Sequence, residues 1–201
     1  MTKRSSSKYS NCKKLKSSYK NIWGLKKKDF CRFMLAKPRK KITPFGKLLD
    51  IKQSLKLFYP NIGENCFKDI VRSCLGSRSR TLDKLCSVLE SRIDSILFRS
   101  CLVASFQQAR QIISHGFVFV NGKCHKTPSK KIRKGDIISL DINNYLIPKA
   151  EFVSILNSRS LPTYLELDLT NVKIIFLWDS NSKSIYYPIK ANYSNLTRFY
   201  R

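Results

Sequence analysis

Leu82, Leu85, Leu89, Ile93 and Ile96 recur at three- and four-residue spacing through the middle of the chain. That is the apolar stripe of a helix with one buried side. Thr81 stands where an N-cap would begin it. Arg92 and Arg99 are seven residues apart, so in one continuous helix they share a face turned away from the stripe. Next, "SFQQ" at 105–108 places Ser three residues before Gln, the spacing of a capping box. The helix it predicts buries Ala109, Ile112 and Ile113, and its other face carries Gln107, Arg110, Gln111 and Ser114. Gly116 suits the left-handed position just past a helix end.

The period then changes from helical to extended. "FVFV" at 117–120 predicts a short strand, and Asn121-Gly122 is the strongest two-residue hairpin signal. "SKKIRKGDIISL" predicts a basic loop, a turn around Gly135 and a strand over Ile137 to Leu140. Upstream, Leu48, Ile51, Leu55 and Phe58 are at helical spacing, and Pro60 stops that helix. A second helix fits Glu64 to Leu75, and "GSRSR" at 76–80 is a basic linker. Two prolines and a glycine punctuate Lys37 to Gly46. In the C-terminal third the pattern predicts a helix over Ala150 to Leu156 and an extended "LPTYLELD" at 161–168. Strands are predicted at Lys173 to Trp178 and Ser184 to Ile189. There is no internal repeat.

Charge adds what patterning cannot. The 201 residues hold 39 Lys and Arg against 13 Asp and Glu, a net charge of +26. Such a field favours polyanions, nucleic acid first and anionic membrane second. From Met1 to Lys47 there are sixteen bases and one acid; from Leu48 to Ser139, sixteen and seven; from Leu140 onward, seven and five. The excess therefore lies in an arm and in the middle. No apolar segment approaches bilayer-spanning length, and the arm has no coherent apolar face for a membrane surface. Its Ser- and Lys-rich, acid-poor opening superficially suits an organelle transit peptide. With one arginine and little apolar periodicity in its first twenty residues, a disordered RNA-contacting arm is the preferred reading.

Candidate catalysis is poorly supported. The seven glycines are scattered and form neither a phosphate-binding loop nor a dinucleotide fingerprint. Seven cysteines (12, 31, 66, 74, 86, 101 and 124) include no C-x-x-C pair, which points to small thiols in a reducing compartment rather than a metal site. His115 has three readings: a cation at a helix C-terminus, an RNA contact, or a catalytic group. Glu90 and Asp94 lie one helical turn apart. They could mimic a carboxylate pair, but on a surface bearing Arg92 they read as ion-pair partners. The nucleic-acid signal is a constellation: Arg92 and Arg99 from one helix, Arg110 and Gln111 from the next, His115 at its end, and Lys123, Lys126, Lys130, Lys131, Arg133 and Lys134 in the hairpin region. All can face one side of a helix–helix–hairpin unit, where Lys and Arg gain affinity by releasing phosphate counterions.

Leu89, Glu90, Arg92, Asp94, Ala109, Arg110, Gln111, Ser114, His115, Gly116, Asn121 and Gly122 follow a pattern like L-E-x-R-L-D, then A-R-Q-L-V-S-H-G and V-N-G. In this the chain resembles the S4 RNA-binding domain, and Pro128, Ser129, Gly135 and Asp136 continue the likeness. That domain is shared by ribosomal proteins, pseudouridine synthases, a tyrosyl-tRNA synthetase and small stress proteins. The flanks select among them. Arg39 to Tyr59 looks like the segment preceding the domain in the small-subunit ribosomal S4 family, "LPTYLELD" is similar to its P-x-W-L-E-V-D, and "IKANYSNLTRFYR" resembles its last helix. The chain departs from the family in having Phe106 where an arginine is usual. With only Cys12 and Cys31 in the N-terminal region, it lacks the four cysteines of the zinc knuckle that many bacterial members carry, so no metal or other cofactor is expected.

The resemblance implies an α+β fold: a basic arm over 1–42, a helical domain of 43–86 plus 189–201, and an S4 domain with a β-rich extension over 87–188. It implies two helices packed on a small sheet or hairpin. The expected RNA-binding residues are Arg92, Arg99, Ser105, Gln108, Arg110, Gln111, Ser114, His115, Lys123, Lys130, Lys131, Arg133 and Lys134, with Arg39, Lys40, Lys41, Arg78 and Arg80 from the arm and linker. The implied role is non-enzymatic. It is a structural constituent of the small ribosomal subunit that organises the 5′ domain of its rRNA and lies near where mRNA enters, with the S5 protein and the mRNA as further partners and no membrane. The shortened linker and divergent arm look like those of a mitochondrial member, with chloroplast or bacterial-type cytoplasm as alternatives. A stress or ribosome-recycling factor, or an RNA-modification accessory protein, is the alternative function.

Overall fold

The computed structural model describes residues 43–59, 62–77, 79–141, 159–185, 187 and 195–200. The expected arm, the linker residue Arg78 and the expected helix at Ala150 to Leu156 lie outside them. The fold is α+β, and the chain divides into two compact units: Met1–Thr81 with Tyr187–Arg201, and Leu82–Tyr186.

In the first unit, α1 spans Pro44–Phe58 and α2 spans Glu64–Leu75. Helix α1 begins four residues ahead of the apolar pattern. The reason is local: Thr43 caps it by accepting from the Gly46 N–H at 3.2 Å, and Pro44 fills the first turn, where no N–H is needed. Leu55 and Phe58 of α1 and Phe67, Val71 and Cys74 of α2 are buried. The short α6, Leu196–Tyr200, returns against both helices. Phe199 lies 5.8 Å from Phe45 and Tyr200 lies 6.1 Å from Phe67, ring centre to ring centre. Glu64 accepts from Lys52 at 2.8 Å and Lys56 at 2.6 Å. Those two hydrogen bonds hold its carboxyl down at about 2.

The second unit, from Leu82 onward, opens with α3 (Thr81–Glu90), whose first residue closes the preceding unit, and α4, Ile93–Arg99. Leu85, Leu89, Ile93 and Ile96 are all buried, so the stripe survives. The single helix expected there does not. Arg92 is extended, with φ −76° and ψ 143°. The cause is a competing set of backbone partners. Ser91 C=O accepts from Ile132 N–H at 2.8 Å, Ile93 N–H donates to Lys130 C=O at 3.0 Å, and Asp94 N–H donates to Pro128 C=O at 3.3 Å. Ser95 Oγ donates to Leu89 C=O across the break at 2.8 Å. Three orphan groups at the two helix ends are thus satisfied by the 128–132 loop, and a fourth by Ser95.

Helix α5 spans Phe106–His115. Five antiparallel strands follow: β1 Val118–Val120, β2 Lys123–Cys124, β3 Ile137–Leu140, β4 Leu165–Asp168 and β5 Lys173–Phe176, ordered β2-β1-β3-β5-β4. Alternation assigns the faces. Val118, Val120, Ile138, Leu140, Leu165, Ile174 and Phe176 point to the core, while Lys123, Cys124, Glu166 and Lys173 are exposed. The extended "LELD" became the edge strand β4. The strand expected at Ser184 to Ile189 is not formed by its described residues: Ser184 instead closes a turn, its N–H on Asn181 C=O at 3.0 Å.

Candidate nucleic-acid interface

Helix α5 is positioned by its own ends. Ser105 Oγ accepts from the Gln108 N–H at 3.3 Å, and Gln108 Oε1 reaches back to accept from the Ala104 N–H at 2.8 Å. This is the reciprocal capping that the sequence predicts, shifted one residue on the return bond. It commits both side chains to the helix start. At the other end Gly116 has φ 85°, and a β-carbon there would meet Lys126 Cε at 3.2 Å. The left-handed φ disfavours a side chain there, whereas the flexible Lys126 stem could give the few tenths of an ångström that a β-carbon needs. Between the ends, Ala109, Ile112 and Ile113 are buried, Gln111, Ser114 and His115 are exposed, and Arg110 keeps 29% of its side chain in solvent. The His115 ring lies nearly parallel to that of Phe117 with centres 5.9 Å apart.

The hairpin turns at Asn121 and Gly122, both at positive φ (50° and 79°), which suits a two-residue turn between twisted strands. Asn121 also ties two loops together. Its Nδ2 donates to Asp136 Oδ1 at 2.8 Å, and its Oδ1 accepts from the Ile137 N–H at 3.0 Å. Asp136 Oδ2 in turn accepts from the Arg133 N–H at 2.8 Å. The basic loop is therefore pinned at its end by this brace, in its middle by buried Ile132, and along its backbone by the α3–α4 junction. Lys123, Lys130, Lys131, Arg133 and Lys134 all remain exposed. Lys134 pairs with Asp179 at 3.2 Å, and both side chains are half or more in solvent. Lys130 Nζ stands 3.0 Å from His125 Nε2. Desolvation, then Lys130 and Lys123, lower the pKa of His125, which favours the neutral ring.

The expected shared face of Arg92 and Arg99 is corrected. Arg92 and Arg99 do not share an outward face. Arg92 is buried, its Nε and Nη2 donating to Asp94 Oδ1 and Oδ2 at 2.9 and 2.7 Å. Arg99 keeps 12% of its side chain exposed; its Nε and Nη2 donate to Glu90, which is fully buried, with the shortest bond at 2.6 Å. Tyr164 Oη donates to the other Glu90 oxygen at 2.9 Å, and burial, then the Glu90 charge, push that phenol well above its usual range. The break at Arg92 re-aims both guanidiniums. Glu90 and Asp94 are ion-pair partners as expected, but inside the fold.

Phe106, at the family's arginine position, is buried and stacks on Phe98 at 4.0 Å. Arg159 lies over Phe98 at 4.2 Å and donates to the Val103 and Ala104 carbonyls at 3.2 and 2.6 Å. Burial lowers the pKa of Arg159 to about 10. Nothing local in the sequence marks Arg159 or Tyr164, because their partners are 55 and 74 residues away. Arg80 is exposed in the other unit, and Arg39, Lys40, Lys41 and Arg78 lie outside the described residues. Among the described residues no group of three or more His, Cys, Asp or Glu could hold a metal, and no helix is long and apolar enough to cross a membrane.

The segment that carries this geometry, residues 91–138, matches the S4 domain family. Over a longer span the chain is similar to proteins named small ribosomal subunit protein uS4. It is 30% identical to that of Bartonella bacilliformis, over 100% of this chain and 99% of the relative. It is 33% identical to that of Aquifex aeolicus, over 81% and 77%, and 29% identical to that of Rhodospirillum rubrum, over 90% and 91%. Since these alignments run far beyond the RNA-binding segment into both flanks, the chain belongs to the uS4 family of small ribosomal subunit proteins.

Proposed function

We propose that this protein is a structural constituent of the small ribosomal subunit and binds its rRNA. The observation that carries the reading is the assembly of part-exposed Arg110 with exposed Gln111, Lys123, Lys130, Lys131, Arg133 and Lys134 on elements locked together by backbone hydrogen bonds, within the segment that matches the S4 domain. The mechanism is electrostatic and geometric. Cations held at fixed separations neutralise converging phosphates, release their counterions and select the RNA arrangement that matches their spacing. No bond is made or broken, so the role is architectural.

The finer assignment is that the protein holds a multi-helix junction in the 5′ domain early in assembly and later lies near the S5 protein where mRNA enters, influencing accuracy. The basic arm, with Arg39, Lys40 and Lys41, would add phosphate contacts. The shortened linker at 76–80 and the divergent arm favour a mitochondrial ribosome as the setting.

Fractionation of native ribosomes at high salt tests the reading. Stable co-migration with the small subunit is expected; recovery free or only with the large subunit would sink it and favour a stress or recycling factor. Imaging of the tagged full chain against a mitochondrial marker checks the compartment. On a transcript of the 5′ domain, Arg110→Ala is expected to weaken binding by about 1–3 kcal/mol, and an unchanged affinity would remove Arg110 from the interface.

A further inference from the structure

Arg110 and Arg92 meet on one buried carboxylate. The Asp94 carboxylate is almost wholly buried and is gripped on both oxygens by the Arg92 fork at 2.9 and 2.7 Å. Arg110, one helix on, reaches the same carboxylate with a single nitrogen, Nη1 to Oδ2 at 3.2 Å. One negative charge is thus shared by two guanidiniums. Arg92 is enclosed, whereas 29% of the Arg110 side chain faces solvent. A guanidinium has five N–H groups in a rigid plane. One of those on Arg110 aims at Asp94, and the remainder have no partner among the described residues.

We infer that Asp94 is a positioning residue for RNA binding, holding the Arg110 guanidinium through one edge so that its free edge is set for a phosphate oxygen. This rests on the RNA-binding reading above. Asp94 is well placed for the task because its own backbone N–H is bonded to Pro128 C=O at 3.3 Å, which fixes it to the loop carrying Lys130 and Lys131. Arg110 and those lysines therefore keep their mutual spacing when RNA arrives. The arrangement also requires arginine. A planar fork serves a carboxylate on one edge and a phosphate on another, while a lysine ammonium is a point charge on a flexible stem that does not span both.

A double-mutant cycle on the full chain, read as affinity for the 5′-domain transcript, tests the inference. Asp94→Asn is expected to weaken binding about tenfold when Arg110 is present and less than about twofold in an Arg110→Ala background. An equal loss in both backgrounds would mean that Asp94 acts only through the fold, and would overturn the inference. Because Asp94→Asn also removes the charge partner of buried Arg92, Arg110→Lys in the otherwise intact chain supplies a second arm. It is expected to lose about tenfold despite its retained charge, and binding within about twofold of wild type overturns the inference. Wild-type protein that binds the transcript no better than an unrelated RNA of equal length removes the RNA-binding reading and this inference together, whereas Arg110→Lys at wild-type affinity removes this inference alone.

Discussion

Arg99 closes α4 with its guanidinium on a carboxylate that water does not reach, while Lys131, bridged through its backbone to neighbouring Arg92, leaves its ammonium in solvent. The two regions are joined by hydrogen bonds and draw on the same residue types, yet their charges serve different ends. At the α3–α4 junction, burial makes every cation dependent on a carboxylate, since an uncompensated buried charge is costly. Along 123–134 it is the backbone that is fixed, by Ile132, Asn121 and the junction, and the cationic side chains stay in solvent, Lys134 alone meeting a carboxylate among the described residues. A cationic surface of defined spacing needs both: a rigid base whose charges cancel, and an outer layer whose charges do not. Arg110 lies between the two, bonded to the base and open to solvent.

The largest expected effect breaks the inner region. Glu90→Ala removes the partner of Arg99 and Tyr164 together and is expected to lower stability by about 3–5 kcal/mol, read from chemical denaturation; an unmoved midpoint would show that the pair is dispensable. The outer region should respond in the opposite sense. Replacing Lys130, Lys131 and Arg133 by Ala is expected to change stability by less than about 0.5 kcal/mol. The slope of log affinity against log salt should fall by about one for each phosphate no longer neutralised. A slope unchanged by all three would take the loop off the RNA.

Ser105→Ala probes a residue that the family resemblance counts among the RNA contacts and that the fold uses as a cap. About 1 kcal/mol of stability should be lost, with the salt slope of RNA binding unaltered; a changed slope would return Ser105 to the interface. The smallest effect lies in the helical unit, where the Glu64 carboxyl is depressed from 4.5 to about 2 by Lys52 and Lys56. Its contribution is fully present above the ordinary carboxylate range and is lost as pH falls from 4.5 towards 2. The side chain is 45% exposed, so solvent screening holds the effect to about 1 kcal/mol or less. Acid unfolding of Glu64→Gln beside the parent measures it, and parallel curves over that interval would assign the acid sensitivity elsewhere.

Glu64–Leu75, the capped start and glycine end of α5, and the Asn121-Gly122 turn were legible in the sequence, because each depends on neighbours within about four residues or on one residue's φ. The basic identity of residues 123–134 was legible for the same reason: exposure leaves composition unopposed. The apolar stripe from Leu85 to Ile96 was legible too, but the chain's path along it was not. Tertiary structure alone decided that path. The Ile132 N–H takes the Ser91 carbonyl from 41 residues away and Tyr164 reaches Glu90 across 74, so the helix breaks and Arg92 and Arg99 turn inward. Periodicity records which side chains prefer burial; it carries no information about a distant backbone that competes for the same hydrogen bonds.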